Sequence, residues 1–153
     1  MARGTVRALR TYEFHRHWST PAPTTRVQEV LVDLEHYPEW WPQVVAVAKI
    51  DDDTARVLCR SVLPYTLDLV LHAQRREPTM LVVGISGALE GWAQFDLHER
   101  GTTTEVSYAQ QVVVAHRGLA VASVLTHPLM RWNHDHMMAG CEQGLRARLT
   151  QTG

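Results

Sequence analysis

Hydrophobic and polar positions alternate near the start of the chain and then change to a helical period. Over residues 6–19, Tyr12, Phe14 and Trp18 alternate with charged or imidazole side chains, which is the period-two pattern of a β-strand. Prolines follow and end this strand. A helix is predicted over 24–35, because its apolar residues are spaced as on one helical face: Val27, Val30, Leu31 and Leu34.

Six more strands are predicted in the middle of the chain, separated by acidic, proline or glycine turns. They cover 44–51, 54–63, 65–76, 79–87, 89–99 and 102–114. Short connections between consecutive strands indicate an antiparallel meander. The inward face of the last strand is predicted to carry Val106, Tyr108, Gln110 and Val112. Tyr108 and Gln110 are polar residues on a face that is otherwise apolar, so they are candidates for orienting a ligand.

The C-terminal part of the sequence is helical in pattern. An apolar run at 119–126 leads to His127 and Pro128, which open a long helix that reaches about residue 149. Its apolar stripe carries Met130, His134, Met137, Met138, Cys141 and Leu145, and the opposite side carries Asp135, Glu142 and Arg146. The predicted fold class is α+β: a seven-stranded antiparallel sheet wrapped around this helix, with short helices after the first strand.

Composition is that of one globular domain over 1–153 with a substantial core. The 153 residues are 45% hydrophobic and 20% charged, with a net charge of -1. Because there is no basic excess, nucleic acid is not an expected partner. No apolar run is long enough for a transmembrane segment, and the first residues lack the apolar core of a signal peptide. Cys59 and Cys141 are expected to be reduced and buried, and the protein to be cytoplasmic.

Catalytic and metal motifs are absent from the sequence. His127 and His134 are seven residues apart on a helix, about 10.5 Å of rise, so they cannot directly bind one metal ion. No HExxH, paired CxxC, P-loop or GxGxxG pattern occurs. Neither a metal ion nor an organic cofactor is expected.

The order of elements and four local segments resemble the START / polyketide cyclase-dehydrase superfamily (SRPBCC), whose fold is the helix-grip. The segments are YPEWWP at 37–42, CRSVLPY at 59–65, LEGW at 89–92 with GTTTEV at 101–106, and NHDHMMAG at 133–140. The last of these is similar to an actinobacterial polyketide cyclase/dehydrase-like branch. The resemblance covers about residues 10–150.

This resemblance implies a cavity between the sheet and the C-terminal helix that holds a hydrophobic small molecule, lipid-like or aromatic polyketide-like. The candidate ligand-binding residues are His134, Tyr108, Gln110, Met130, Met138, Cys141 and Arg16. Arg16 is in phase with the inward residues of the first strand, so either a bulge turns it outward or it reaches the cavity. His134 is either a ligand contact or a core histidine bonded to Tyr108, Gln110 or a backbone carbonyl.

Two alternatives remain open at this stage. In a metal-independent aromatase/cyclase that performs aldol cyclisation and dehydration, His134 and Tyr108 would be the catalytic candidates. A lipid-quinone chaperone would instead expose an apolar patch around 119–125 at the mouth of the cavity. The chain is expected to be a monomer or a homodimer.

Overall fold

The computed structural model describes residues 11–60, 62, 66–114 and 127–151. Its elements, in chain order, are β1 (Thr11–Thr20), α1 (Thr24–Val32), a 3₁₀ helix (Leu34–Glu39), β2 (Val44–Lys49), β3 (Thr54–Cys59), β4 (Leu67–Glu77), β5 (Met80–Gly87), β6 (Leu89–Arg100), β7 (Thr103–Val114) and α2 (His127–Gln151). The apolar run at 119–126 lies outside the described residues.

The predicted seven-stranded antiparallel sheet is confirmed. Its order is β1-β7-β6-β5-β4-β3-β2, so the first strand joins the last and the remaining strands form a meander. The register is regular from β4 to β1 except for a bulge between Ala73 and Arg75, and a second bulge lies between Val44 and Ala46. The strand predicted over 54–63 ends earlier, at Cys59.

One face of the sheet is apolar and turns toward α2, as the alternation predicts. On β7, the four predicted inward residues, Val106, Tyr108, Gln110 and Val112, are all buried. The outward face is polar: Arg56 and Asp68, on the adjacent strands β3 and β4, form an exposed ion pair.

The segment after α1 differs from the prediction. The helix predicted over 24–35 ends at Val32, and residues 34–39 form a 3₁₀ helix. Asp33 interrupts the α-helix with non-helical backbone angles (φ -85°, ψ 67°). The Tyr37 hydroxyl donates to the Leu31 carbonyl at 2.5 Å, which satisfies one of the free carbonyls at the end of α1. Aromatic side chains from this segment, Tyr37, Trp40 and Trp41, are buried in the core.

The long helix α2 packs its predicted stripe into the core. Met138, Cys141 and Leu145 are almost fully buried, and Asp135 is exposed, so the helical phase is confirmed. Arg146 is only partly exposed, because its guanidinium donates to the Ser19 carbonyl at 3.0 Å.

Candidate functional site

A cavity of about 370 Å³ lies between the inner face of the sheet, the segment at 31–35 and the first half of α2. This volume is within the range of about 300–1,000 Å³ that is usual for small-molecule sites. The sheet contributes mostly aliphatic side chains to its wall: Val57, Leu67, Leu69, Leu71, Leu81, Val83, Ile85, Leu89 and Val112. A surface of this kind favours a hydrophobic ligand.

A cluster of polar side chains interrupts the apolar wall where β7 faces α2. The Tyr108 hydroxyl donates to the side-chain carbonyl oxygen Oε1 of Gln110. His134 Nε2 lies 3.2 Å from the same oxygen. Because a carbonyl oxygen only accepts, this contact is a hydrogen bond in the tautomer of His134 that carries the proton on Nε2. All three side chains line the cavity.

The position of the His134 ring is fixed by β1 as well as by Gln110. Phe14 stacks on His134, with ring centroids 3.7 Å apart and planes 13° from parallel. Phe14 lies directly opposite Gln110 in the β1–β7 register. The strand pairing therefore holds both neighbours of the imidazole in place.

The polar cluster is uncharged at neutral pH. Burial lowers the pKa of His134 to about 3, and the positive charges of Arg16 and Arg131 add to the effect. Burial raises the pKa of the Tyr108 hydroxyl above its usual range, and it raises the pKa of the Cys59 thiol, also on the cavity wall, to about 12. The buried part of the site thus offers hydrogen bonds rather than charge.

This burial of neutral His134 predicts a dependence of stability on pH. In the unfolded chain the imidazole has a pKa near 6.5, so as the pH falls the unfolded state binds the proton first. The stability that this produces is complete above pH 6.5 and is lost as the pH falls toward 3. Between about pH 6.5 and 4.5, we expect the wild type to lose roughly 2 kcal/mol relative to His134→Gln.

Urea unfolding at a series of pH values measures this difference. His136→Gln, on the exposed side of the same helix, is the control and should keep the pH dependence of the wild type. Parallel curves for the wild type and His134→Gln would show that the buried imidazole is not neutral in the folded state.

Four of the seven predicted ligand-binding residues line the cavity: Tyr108, Gln110, Met130 and His134. Met138 and Cys141 do not, because they lie on the side of the α2 stripe that packs in the core. The residues of α2 that line the cavity are Met130, Asn133, His134 and Met137.

Arg16 also lies away from the cavity. Neither of its two predicted positions is correct, since β1 has no bulge there and Arg16 pairs in register with Tyr108. Its Nε donates to Glu142 Oε1 of α2 at 3.3 Å. Arg16 therefore joins β1 to the helix rather than contacting a ligand.

Several lining residues were not predicted from the sequence. Phe14 and Asn133 were placed in a strand and a helix, but their positions on the cavity wall depend on tertiary packing. Trp41, in the aromatic segment at 37–42, also lines the cavity, and its indole donates to the Met137 carbonyl at 2.9 Å.

The mouth of the cavity is formed by exposed charged side chains from three segments, at 33–35, 49–53 and 75–76. They are Asp33, Glu35, Lys49, Asp51, Asp52, Asp53, Arg75 and Arg76. Lys49 lies between Glu35 and Asp52 (3.8 and 3.5 Å), and Arg76 pairs with Asp53 at 2.8 Å. The five acidic and three basic side chains leave a small excess of negative charge at the mouth.

Within the described residues, no group of three or more His, Cys, Asp or Glu side chains is arranged to hold a metal ion. Among the helices in the described part of the chain, none has the length and hydrophobicity needed to cross a membrane.

Comparison with known proteins identifies the fold. Neither the protein-family models nor the curated protein sequences match this chain. Solved structures do. A START superfamily protein from Mycobacterium smegmatis is similar, with a TM-score of 0.74 and 13% identity over 92% of this chain and 99% of that one. The Zhui aromatase/cyclase from a Streptomyces species has a TM-score of 0.78 and 10% identity, over 92% and 94% of the two chains.

The di-domain aromatase/cyclase StfQ of the steffimycin biosynthetic pathway is also similar. Its TM-score is 0.74 with 10% identity, over 98% of this chain and 54% of StfQ. At these identities the likeness establishes the architecture: the chain has the helix-grip fold that START proteins and polyketide aromatase/cyclases share.

Proposed function

We propose that this helix-grip chain binds one hydrophobic small molecule, lipid-like or aromatic polyketide-like, in the cavity between its sheet and α2. The observation that carries the proposal is the cavity itself, in which an aliphatic wall is interrupted by one uncharged polar cluster. A few placed polar groups within an apolar cavity are typical of small-molecule sites, because they orient a ligand that burial holds.

Catalysis by an aromatase/cyclase is the second candidate. Zhui and StfQ, which share the fold, are aromatase/cyclases, and Tyr108 and His134 lie where they could hold an enol oxygen and move a proton. Efficient proton transfer needs groups with a pKa near the working pH. Burial moves the pKa of His134 down and that of Tyr108 up, away from neutrality, and this favours binding over acid–base catalysis.

The lipid-quinone chaperone is a third proposal. It depends on an exposed apolar patch around 119–125, which lies outside the described residues.

Titration with the neutral fluorescent probe N-phenyl-naphthylamine tests the binding proposal. The wild type should bind one probe per chain, and His134→Gln should weaken that binding by about 5-fold, because the ring that stacks on Phe14 is lost from the wall. Stability at neutral pH should fall by less than about 1 kcal/mol, since glutamine can still donate to Gln110.

The exposed variant His136→Gln should bind the probe like the wild type. Intact probe affinity together with a large loss of stability in His134→Gln would mean that His134 is only a core residue. Turnover of a poly-β-ketone with loss of water, abolished in His134→Gln, would favour the cyclase instead.

A further inference from the structure

Gln110 has an unequal distribution of hydrogen bonds at its side-chain amide. The residue is 8% exposed, and its oxygen accepts from both the Tyr108 hydroxyl and the His134 Nε2–H. Two donors on one carbonyl oxygen use both of its lone pairs and fix the orientation of the amide. The amide nitrogen is then left to point away from both of them.

The Gln110 amide nitrogen carries two N–H donors, and neither of the side-chain hydrogen bonds that Gln110 makes within the described part of the chain uses them. Gln110 itself lines the cavity. A donor on the cavity wall that a ligand covers is costly unless an oxygen of the ligand accepts from it. The site therefore favours a ligand with an acceptor oxygen at this point.

Charge in the cavity is confined to its mouth. Among the described residues that line it, every Asp, Glu, Lys and Arg is exposed. The three cations among them, Lys49, Arg75 and Arg76, already pair with Asp52, Glu77 and Asp53. A carboxylate placed against Gln110 would therefore lose its water without gaining a counter-ion.

Building on the binding function proposed above, we propose that the cavity selects an uncharged ligand and holds its carbonyl oxygen on the side-chain N–H of Gln110. The ligand class is a neutral ketone, ester or quinone with an apolar body, as opposed to a fatty or aromatic carboxylate. Tyr108 and His134 are positioning residues in this recognition, since they act on the ligand through the amide they orient.

Three competitors of nearly the same shape separate the effect of a hydrogen bond on affinity from the effects of apolar burial and of charge. Acetylnaphthalene, isopropylnaphthalene and naphthoate, substituted at the same ring carbon, present a ketone, a hydrocarbon and a carboxylate. Each displaces N-phenyl-naphthylamine from the wild type at neutral pH in a competition titration. The ketone should bind about 5-fold more tightly than the hydrocarbon, as one neutral hydrogen bond allows. It should bind about 10-fold more tightly than the carboxylate, which must be desolvated.

Gln110→Met identifies the donor. The thioether side chain has nearly the same reach and its sulfur can still accept weakly from Tyr108 and His134, but it carries no N–H or O–H to donate. The advantage of the ketone over the hydrocarbon should fall to about 1-fold, while the hydrocarbon still binds and shows that the cavity is folded.

The outcomes separate this inference from the function on which it rests. If none of the three compounds displaces the probe, and the probe itself does not bind, the binding function is wrong. Equal affinities for all three compounds would leave that function intact and overturn the selection of a neutral carbonyl. A ketone preference that persists in Gln110→Met would overturn the role of the Gln110 amide. The wild-type series decides between ketone and carboxylate even if the variant does not fold.

Discussion

Replacing Gly144 with alanine is expected to destabilise the protein by about 3 kcal/mol, at the upper end of the cost of overpacking a core. A Cβ atom at this position would lie 1.7 Å from the carbonyl oxygen of Trp40 and 2.8 Å from its carbonyl carbon. Both are backbone atoms of Trp40, whose side chain is buried, so neither can move without displacing that side chain. Helix propensity by itself predicts the opposite sign, since alanine is about 1 kcal/mol more favourable than glycine within a helix.

Two variants of α2 serve as controls for this prediction, which urea unfolding measures. At Gly140 the added atom would meet only the side-chain end of Gln43, at 1.9 Å, and this can rotate away at lower cost. Gly140→Ala should therefore be less damaging than Gly144→Ala. Gln143→Ala, on the exposed side of the helix, should be nearly neutral. A Gly144→Ala protein as stable as the wild type would mean that α2 does not pack against Trp40 as closely as described.

Filling the cavity with Ala93→Phe is expected to weaken binding of N-phenyl-naphthylamine by about 30-fold. Ala93 is buried on β6 and lines the cavity, between Val83 and Gln110 on the adjacent strands. The phenyl ring would occupy the space where a ligand meets the polar cluster. Because that space is a cavity rather than packed core, the free energy of unfolding should change by no more than about 1 kcal/mol.

Gln111→Phe is the matched control for this substitution. Gln111 follows Gln110 on β7, is exposed on the outer face and pairs with Trp92. The same ring added there should leave probe affinity unchanged. Equal binding by Ala93→Phe and the wild type would show that the probe binds elsewhere on the protein.

Much of the fold could be predicted because each element has a strong local pattern. Apolar and polar residues alternate along the strands, the turns contain proline, glycine or aspartate, and α2 has one clear apolar stripe. Tyr108 and Gln110, which line the cavity, were predicted as candidate site residues for the same reason, since each is polar at an inward position of an apolar strand. Gly140 and Gly144 of α2 leave room for a close approach, but only the structure shows that the partners are Gln43 and Trp40.

The remaining features depend on distances between residues far apart in the chain. Periodicity puts Met138 and Cys141 on the buried stripe with His134, yet it cannot distinguish the part of the stripe facing a cavity from the part facing packed core. Arg16 has the phase of an inward residue and is inward, but Glu142 of α2 binds it. The charged mouth has no local signature at all, because it forms only when residues 33–35, the β2–β3 turn and the end of β4 come together.

Native mass spectrometry tests the central claim, that the cavity between sheet and helix holds one hydrophobic small molecule. Freshly purified wild-type protein, saturated with a neutral apolar ligand such as acetylnaphthalene, should show a single adduct of that ligand's mass on each chain. Ala93→Phe, with its cavity partly filled, should appear mainly as the bare chain at the lowest ligand concentration that saturates the wild type. A wild-type chain that remains bare, or an adduct equally abundant on Ala93→Phe, would contradict the account.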